Sequence, residues 1–485
     1  MPPAAVRKAT IAVDLGAQSC RVSLLRWNGA QPCIHLVHRF VNSPISSANG
    51  LRWDAEGIYR GIVHGLRQAA SRAPEGIASI GIDGWAVDYV RLDQDGAALE
   101  APYCYRDPRT ETAAARVHEI LPADRLYSLT GIQILRINTV YQLYADKLAG
   151  AATSTRWLNL PEYMSYRLSG QRVAEYTNAT HTGLVSLGLQ SWCEEIFAET
   201  GLDISAAPRI VPTGTMIGPL RGELTSIAEL RGAQLIVPAC HDTASAIAAI
   251  PAKGDDWAFI SSGTWSLVGT VLRGPCVANR ARDLNFTNLG GVGGRFYFLK
   301  NVNGMWLLQQ CLEEWGALAD ANAMSELVSA CESLRAPDCT VDVDAAELLL
   351  PGNMIEKLNG QLAQKGHKAL GGGRSEAAAV ANLILHSLAA RYAEVLTAIS
   401  EITGRKLTRV FVVGGGSRNA LLNRLTAERT GLEVIAGSTE STTIGNFAVQ
   451  LSALAGDLVS GWGPSAESVA GFAEPLSIQD EAFAD

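Results

Sequence analysis

Short polar turns follow apolar runs at two places in the chain and have the composition of phosphate-binding backbone loops. The first, Asp14 to Arg21, places a carboxylate at the end of an apolar run and small residues after it. Backbone N–H groups in such a turn can approach a phosphate that a bulky side chain would obstruct. The carboxylate can hold Mg²⁺ through water, because this ion keeps most of its hydration shell. The second turn, Ser261 to Ser266, has the same form with hydroxyl side chains, and each turn alone is also typical of an ordinary hairpin.

A glycine-rich segment is a third candidate. Residues 414–416 are all glycine and lie between an apolar run, Arg409–Val413, and a segment with helical spacing, Asn419–Thr430. Consecutive glycines permit close backbone approach, and a helix N-terminus carries partial positive charge. The segment matches neither the Walker A loop nor the dinucleotide-binding glycine pattern. A further glycine-rich stretch, 290–294, is interpreted as a hairpin turn.

One carboxylate is placed to act as a general base. Asp242 follows a predicted strand, Gln234–Val237, and precedes a small-residue segment with helical spacing, Ala244–Ile250. A carboxylate at a strand end can reach a substrate bound in a cleft and remove its proton. Asp is also a common helix N-cap, so the local sequence leaves the base and the cap equally open.

The elements that must position these groups follow a pattern that occurs twice. In the first half, alternating apolar residues predict three strands in a meander, at Ile11–Leu15, Arg21–Trp27 and Ile34–Phe40. Helical spacing over Ala55–Arg72 and a buried strand at Ala78–Asp83 follow.

The pattern restarts after Pro251. Predicted strands at Trp257–Thr264 and Trp265–Leu272 flank the second turn, and Glu376–Thr403 has the spacing of a long amphipathic helix. Its apolar face is formed by Val380, Leu383, Ile384, Leu388, Tyr392, Leu396 and Ile399. The recurrence predicts a duplicated α/β domain with a seam near residues 251–256.

Composition excludes several classes of protein. With 47% apolar and 18% charged residues, the 485-residue chain is globular and long enough for two or three domains. A net charge of −8 argues against a nucleic-acid or anionic-membrane surface. No apolar run reaches the roughly 18 residues of a membrane span, and no secretory leader is recognisable. Nine cysteines without zinc-like spacing indicate reduced thiols, so we expect a cytoplasmic protein, either a monomer or a homodimer.

A series of motifs, in order along the chain, carries a family resemblance. They are Ala12-Val-Asp-Leu-Gly-Ala17, Ile80-Gly-Ile-Asp-Gly-Trp-Ala-Val-Asp88, Tyr105-Arg-Asp-Pro-Arg109, Thr130-Gly-Ile-Gln133 with Asn138-Thr-Val-Tyr-Gln-Leu143, Ser165-Tyr-Arg-Leu-Ser-Gly170, Glu175-Tyr-Thr-Asn-Ala-Thr180, His241-Asp-Thr-Ala-Ser-Ala246, Ser261-Ser-Gly-Thr-Trp-Ser-Leu267, Leu299-Lys-Asn-Val-Asn-Gly-Met-Trp-Leu-Leu-Gln309, and Val413-Gly-Gly-Gly416 with Ile444-Gly-Asn446. These motifs resemble those of the FGGY family of carbohydrate kinases, most of all the members that act on L-rhamnulose. The resemblance runs from about Ile11 to about Gly456.

The resemblance implies an α/β protein with two ribonuclease-H-like domains of the actin, hexokinase and Hsp70 type, flanking a deep catalytic cleft. Residues 1–250 would form the N-terminal domain, with the sugar site and the first phosphate turn. Residues 251–485 would form the C-terminal, nucleotide-binding domain, in which the placement of residues 461–485 is open.

The same resemblance assigns roles to individual residues. Asp242 would accept the proton of the attacking sugar hydroxyl, and Asp14 would lie near Mg²⁺ and the phosphates of ATP. The ATP-contacting positions would be Ala17, Gln18, Ser19, Cys20, Arg21, Thr264, Gln309 and Gly415. The sugar-contacting positions would be Ala86, His241, Asp242, Thr243 and Asn301.

Two departures from the family pattern stand out. Gly84-Trp85-Ala86 replaces the usual Thr-Trp-Gly and adds one methyl group at a sugar-facing position. Gln18-Ser19-Cys20 replaces the usual Ser-Ser-Gly of the first phosphate turn. The expected activity is phosphorylation of L-rhamnulose by ATP. L-fuculose, L-xylulose or another ketose is the alternative substrate, and an ATPase of the actin or Hsp70 type, without a sugar, is the distant alternative.

Overall fold

The computed structural model describes residues 8–48, 50–316, 321–371, 373–459 and 461–477. Its strands are β1 Ala9–Leu15, β2 Ser19–Asn28, β3 Gln31–Val41, β4 Ile45–Ser47, β5 Gly50–Arg52, β6 Ile77–Gly84, β7 Tyr89–Arg91, β8 Trp157–Asn159, β9 Val173–Glu175, β10 Arg209–Val211, β11 Met216–Pro219, β12 Gln234–Ile236, β13 Trp257–Ser262, β14 Trp265–Leu272, β15 Thr287–Gly290, β16 Phe296–Asn303, β17 Arg409–Val413, β18 Glu433–Ala436, β19 Leu458–Val459 and β20 Gly463–Pro464.

The helices lie between groups of these strands and after them. They are α1 Ala55–Ser71, α2 Thr110–Ile120, α3 Ala123–Thr130, α4 Thr139–Leu148, α5 Leu160–Ser169, α6 Tyr176–Thr180, α7 Glu194–Thr200, α8 Asp242–Ala248, α9 Asn279–Asp283, α10 Trp306–Glu314, α11 Ala321–Cys331, α12 Met354–Gln364, α13 Ala377–Thr403, α14 Ala420–Thr430, α15 Ser441–Ala455 and α16 Ala466–Ser477. None of the helices that the structure describes is long and apolar enough to span a bilayer.

The contacts between residues divide the chain into two compact units. The first unit contains Met1–Pro251, Leu272–Phe298 and Ser441–Asp485, and the second contains Ala252–Val271 and Leu299–Glu440. The chain therefore leaves the first unit at Pro251, and two later segments return to it. Helix α16 and the described residues after 461 belong to the first unit. The division expected from the sequence, into residues 1–250 and 251–485, differs from these units. Leu272–Phe298 and Ser441–Asp485 fall in its second part but belong to the first unit.

The first unit is built on a six-stranded sheet in the order β11-β12-β6-β1-β2-β3. Strands β12, β6 and β1 are parallel, whereas β2 and β3 form an antiparallel meander with β1. The β1 strand is fully buried because its sequence is almost entirely apolar. Parallel strands covered on both faces need such continuous apolar runs.

The second unit repeats this arrangement. Its strands follow the order β16-β14-β13-β17-β18. Strand β13 pairs antiparallel with β14 and parallel with β17, and β17 pairs parallel with β18. An antiparallel hairpin followed by parallel strands is thus common to both units, which confirms the predicted duplication.

The predicted elements occur within a few residues of their expected ends. All seven residues of the predicted apolar face of α13 are buried, and the 290–294 stretch connects β15 to β16 as predicted. Helix α8 differs, because it begins at Asp242 rather than Ala244 and takes His241 as its N-cap residue. Of the two roles left open for Asp242, the structure therefore does not support that of N-cap residue. All nine cysteines are free thiols.

Helix α15 covers one face of the first sheet through two close approaches. Gln450 Nε2 donates a hydrogen bond to Ile11 O of β1 at 3.0 Å, and Asn446 Nδ2 donates to Gly81 O of β6 at 3.4 Å. Against α8, a Cβ atom at Gly445 would collide with the carbonyl oxygen of Ser245. Glycine at 445 is needed because the two helix backbones touch there.

We expect Gly445→Ala to lower the free energy of unfolding by about 1–3 kcal/mol, the usual cost of overpacking a filled interface. Gly471→Ala is the matched control, because Gly471 lies in α16 of the same unit and a Cβ there would meet nothing within 4 Å. We expect the control to raise stability by about 0.5–1 kcal/mol, since alanine restricts the unfolded chain. Urea denaturation followed by circular dichroism measures both, and equal effects would contradict the packing argument.

Candidate functional site

Carboxylates stand at the carboxyl ends of three adjacent parallel strands in the first unit. Asp14 in β1 and Asp83 in β6 are register partners, and Asp242 follows β12. Two backbone hydrogen bonds tie the strand ends together, from Trp85 N to Leu15 O at 3.2 Å and from Gly84 N to Cys240 O at 3.0 Å. Ligands of open α/β sheets bind at such strand ends.

Burial raises the pKa of all three carboxyl groups. The pKa of Asp14 rises to about 6 through burial, and Arg21, whose Nη1 lies 3.4 Å from Asp14 Oδ2, partly offsets this. The pKa of Asp83 rises well above its ordinary value through burial and the nearby Asp14 charge. The pKa of Asp242 rises to about 6 through burial, moderated by hydrogen bonds from Thr243. The cluster thus has more negative charge than Arg21 compensates.

Oxygen ligands and excess negative charge suit a hard divalent cation such as Mg²⁺. Among the described residues, however, no three side chains of His, Cys, Asp or Glu converge closely enough to hold a metal ion by themselves. An ion bound beside Asp14 would therefore take most of its ligands from water and from a phosphate-bearing substrate.

The Asp242 carboxylate is held at one oxygen, and its side chain is partly exposed. Its Oδ1 accepts from Thr243 N at 2.5 Å and from Thr243 Oγ1 at 3.2 Å, and His241 Nε2 lies 3.4 Å from the same oxygen. None of these contacts reaches Oδ2, and 31% of the side chain is exposed. A pKa near 6 leaves the group ionised at neutral pH. The geometry is that of a base that can receive a proton.

A strained turn after β6 carries the predicted sugar-contacting residue Ala86. The next residue, Val87, has φ +71°, which is unusual for a β-branched residue. Its carbonyl oxygen accepts from Thr139 Oγ1 at 2.7 Å and from Gln142 Nε2 at 3.2 Å. These bonds hold the backbone in a conformation that valine alone would avoid, which fixes the position of Ala86.

A buried carboxylate, Asp88, fixes the other end of this turn. Its Oδ2 accepts from Trp53 Nε1 at 2.6 Å and from Trp85 Nε1 at 2.9 Å. The two indole rings lie against each other with centroids 4.6 Å apart. Ala86 is therefore flanked by the strained Val87 on one side and by an anchored tryptophan on the other.

The first phosphate turn is a tight hairpin between β1 and β2. Gly16 N donates to Ser19 O at 3.2 Å, and Asn42 closes the turn from outside with a bond from its Nδ2 to Gly16 O at 3.0 Å. Ala17, Gln18 and Ser19 are at least partly exposed on this turn, and Arg21 points to Asp14. Cys20 is buried with its thiol toward Gly16 O, so its side chain cannot face a phosphate.

The second phosphate turn lies in the second unit and is joined to the start of α10. Met305 N donates to Gly263 O at 3.0 Å, and Trp306 N donates to Thr264 O at 3.3 Å. A Cβ atom at Gly304 would lie 2.7 Å from Gly263 O, so glycine is required for this approach. The partly buried Thr264 on the turn and Gln309 on α10 are thereby brought into one structure, and Asn301 lies on the neighbouring β16.

The loop of residues 414–416 packs against the end of β13, the strand that leads into the second phosphate turn. A Cβ atom at Gly414 would lie 3.0 Å from Ser262 O, and one at Gly416 would collide with the Ser262 hydroxyl. At the exposed Gly415 a Cβ atom would meet nothing within 4 Å. The outer glycines therefore serve packing, whereas the middle one leaves an open backbone surface.

The motifs gave no role to three further residues that lie in the site or beside it. Asp83 could have been found, since Ile80-Gly-Ile-Asp83 repeats the pattern of Ile11-Ala-Val-Asp14. Asp88 gave a weaker signal, as an acid in an apolar segment. His181 contacts His241, which is 60 residues away in the sequence. No local sequence pattern predicts such a contact.

Comparison with known proteins identifies the family. The model of the FGGY family of carbohydrate kinases, N-terminal domain, matches residues 9–249, and that of the C-terminal domain matches residues 258–454. The chain belongs to the FGGY family of carbohydrate kinases. It is a sugar kinase with two domains of the actin and hexokinase type.

Curated family members similar to this chain share a name. A rhamnulokinase of Oceanobacillus iheyensis is 37% identical over 455 residues, 93% of this chain and 94% of its own. A rhamnulokinase of Bacteroides thetaiotaomicron is 37% identical over 444 residues, 90% of this chain and 89% of its own.

Solved structures of other kinases share the fold at low sequence identity. A gluconate kinase of Lactobacillus acidophilus superposes with a TM-score of 0.73 at 15% identity, over 98% of this chain and 97% of its own. Plasmodium falciparum glycerol kinase with ADP gives 0.70 at 14% identity, over 96% and 92%.

We expect Asp88→Ala to lower the free energy of unfolding by about 1–3 kcal/mol for each indole N–H that loses its buried acceptor. Asp88→Asn is the matched variant, because its amide oxygen can still accept from both indoles. Urea titration followed by tryptophan fluorescence measures the difference. If the two variants lost the same stability, the indole bonds would not be what holds this turn.

Proposed function

We propose that this kinase transfers the γ-phosphoryl group of ATP to O1 of L-rhamnulose, yielding L-rhamnulose 1-phosphate in rhamnose catabolism. The name shared by several curated relatives similar to this chain supports the ketose. The observation that carries the chemistry is Asp242, a carboxylate held by Thr243 at one oxygen on a side chain that is 31% exposed. A cytoplasmic enzyme, monomeric or homodimeric, would fit this pathway.

Asp242 would accept the proton of the attacking sugar hydroxyl. Phosphoryl transfer needs positioning, neutralisation of charge and one base, with no covalent nucleophile on the protein. With its pKa near 6, Asp242 is ionised at neutral pH yet basic enough to take a proton as the O–P bond forms. Ala86, His241, Thr243 and Asn301 would contact the sugar and hold its hydroxyl toward this carboxylate.

Backbone groups would hold most of the nucleotide. In the first unit, the candidates are the hairpin residues Ala17, Gln18, Ser19, Cys20 and Arg21. In the second, Thr264, Gln309 and Gly415 supply a hydroxyl, an amide and an open glycine surface. The substitution of Gln18-Ser19-Cys20 for the usual residues is compatible with this role, because a backbone N–H is present at each position.

Asp14 would hold Mg²⁺ through water. The uncompensated carboxylates described above fit a divalent cation, which would neutralise the phosphate oxygens during transfer. Arg21, next to Asp14, would keep the carboxylate ionised when no cation is bound, because a nearby positive charge favours the charged form.

We expect Asp242→Asn to reduce kcat by about 10²–10⁴-fold, the usual contribution of a general base, with ATP affinity largely unchanged. An ADP-release assay measures kcat, and calorimetric titration measures nucleotide binding. Asp95→Asn, the same change at an exposed position of the first unit, is the control and should turn over normally. Near-normal turnover by Asp242→Asn would remove this residue from the reaction.

Among L-rhamnulose, L-fuculose and L-xylulose, we expect L-rhamnulose to have the highest kcat/KM. Ala86→Gly should change the ratio of kcat/KM between ketoses by about 10–200-fold, the range for one methyl group at a substrate contact. Ala152→Gly, at an exposed loop position, controls for the substitution itself. Preference for another ketose would refute L-rhamnulose as substrate, and ATP hydrolysis unaffected by every ketose would refute the sugar-kinase chemistry.

A further inference from the structure

A second buried histidine lies directly behind His241. His181 Nε2 is 3.0 Å from His241 Nδ1, and the two ring centroids are 3.9 Å apart. Only 9% of His181 and 7% of His241 are exposed. His241 Nε2 in turn lies 3.4 Å from Asp242 Oδ1. The three side chains form a continuous row, His181–His241–Asp242, that ends at the proposed base.

The backbone on both sides of this row is fixed by one buried carboxylate. Glu175, at the N-cap of α6, accepts from Thr177 N at 3.0 Å and from Cys240 N at 2.9 Å. His181 directly follows α6, and His241 directly follows Cys240. Because Glu175 holds both segments, the spacing of the two imidazole rings is set by the fold rather than by mobile side chains.

Hydrogen-bonding rules determine which nitrogens carry protons. An ionised carboxylate only accepts, so the approach of His241 Nε2 to Asp242 is favourable only if that nitrogen carries hydrogen. A neutral imidazole has one N–H, which makes His241 Nδ1 an acceptor. The hydrogen between the rings must then come from His181 Nε2.

Burial keeps both rings neutral. It lowers the pKa of His241 to about 3, and it lowers the pKa of His181 well below the ordinary value, with the neighbouring His241 adding to the effect. Two charged imidazoles in contact would repel each other, whereas a neutral donor and a neutral acceptor attract. The 3.4 Å separation of His241 Nε2 and Asp242 Oδ1 exceeds a normal hydrogen bond, as is often seen between catalytic groups before a substrate binds.

We propose that His181 is a positioning residue for catalysis: it donates to His241 Nδ1, and so holds His241 in the tautomer that presents Nε2–H to Asp242. This inference rests on the proposed role of Asp242 as the base. His241 Nε2 lies on the side of Oδ1, the oxygen already bound by Thr243, so Oδ2 would be the oxygen directed to the sugar hydroxyl.

The tautomer of His241 can be measured without activity. We expect ¹⁵N-histidine spectra of the wild-type protein to show His241 as the Nε2–H tautomer, with its signals assigned by comparison with His241→Gln. His181→Phe keeps a ring but has no donor, and should give a mixture of His241 tautomers. His181→Gln retains an N–H donor and should preserve the wild-type form. An Nδ1–H tautomer in the wild type, or an unchanged His241 in His181→Phe, would overturn the proposal.

A double-mutant cycle tests whether the effect of His181 on kcat depends on Asp242. With L-rhamnulose and ATP, we expect His181→Phe to lower kcat by about 10–100-fold, as for other residues that orient a functional side chain by a hydrogen bond. His181→Gln should recover most of this loss. In the Asp242→Asn background, His181→Phe should have little further effect, because the group it positions is already removed. Equal fold-losses in both backgrounds would show that His181 acts independently of Asp242.

The outcomes separate this inference from the proposed function. Normal turnover by Asp242→Asn alone would refute the base, whereas a large loss there with equal His181 effects in both backgrounds would refute only the role of His181. Circular dichroism and thermal unfolding verify that each variant is folded. If His181→Phe fails to fold, His181→Met removes the same donor with a side chain that adapts to irregular space.

Discussion

Acidic side chains at the buried ends of three parallel strands are the constraint on which the first unit depends. An ionised carboxylate removed from water is unfavourable unless charge or hydrogen bonds compensate it. Arg21 lies beside Asp14, and Thr243 donates twice to Asp242. The incomplete compensation raises the pKa of these groups, and the same deficit of positive charge is what a cation and a reacting hydroxyl would satisfy.

Two further buried carboxylates hold the backbone around the site by hydrogen bonds. Glu175 and Asp88 do not reach the strand-end cluster, yet each fixes the backbone that presents a residue of the site. Glu175 sets the position of Cys240 and hence of His241, while Asp88 anchors Trp85 beside Ala86. Buried carboxylates thus serve two purposes, one to do chemistry and one to hold the backbone that carries it.

The strands and helices could be predicted from the sequence because the apolar periodicity that indicates them is a local property of the chain. Strand β17 and helix α13 could be delimited to within one residue, and Asp14 and Asp242 stood out as acids after apolar runs. Interactions over long sequence separations gave no such signal. The contact of His181 with His241 and the strained φ of Val87 depend on tertiary packing, which overrides local preference. The burial of the Cys20 side chain was also invisible, because a turn motif does not reveal which residue faces the core.

The return of the chain to the first unit after residue 440 limits how this protein can be dissected. A fragment ending at residue 250 would lack α15, and with it the Gln450 and Asn446 amides that contact β1 and β6. The apolar face that α15 covers would then be bare to water, a common cause of insoluble expression. A soluble version of the first unit would instead require both returning segments, Leu272–Phe298 and the C-terminal helices α15 and α16, to be joined back through linkers.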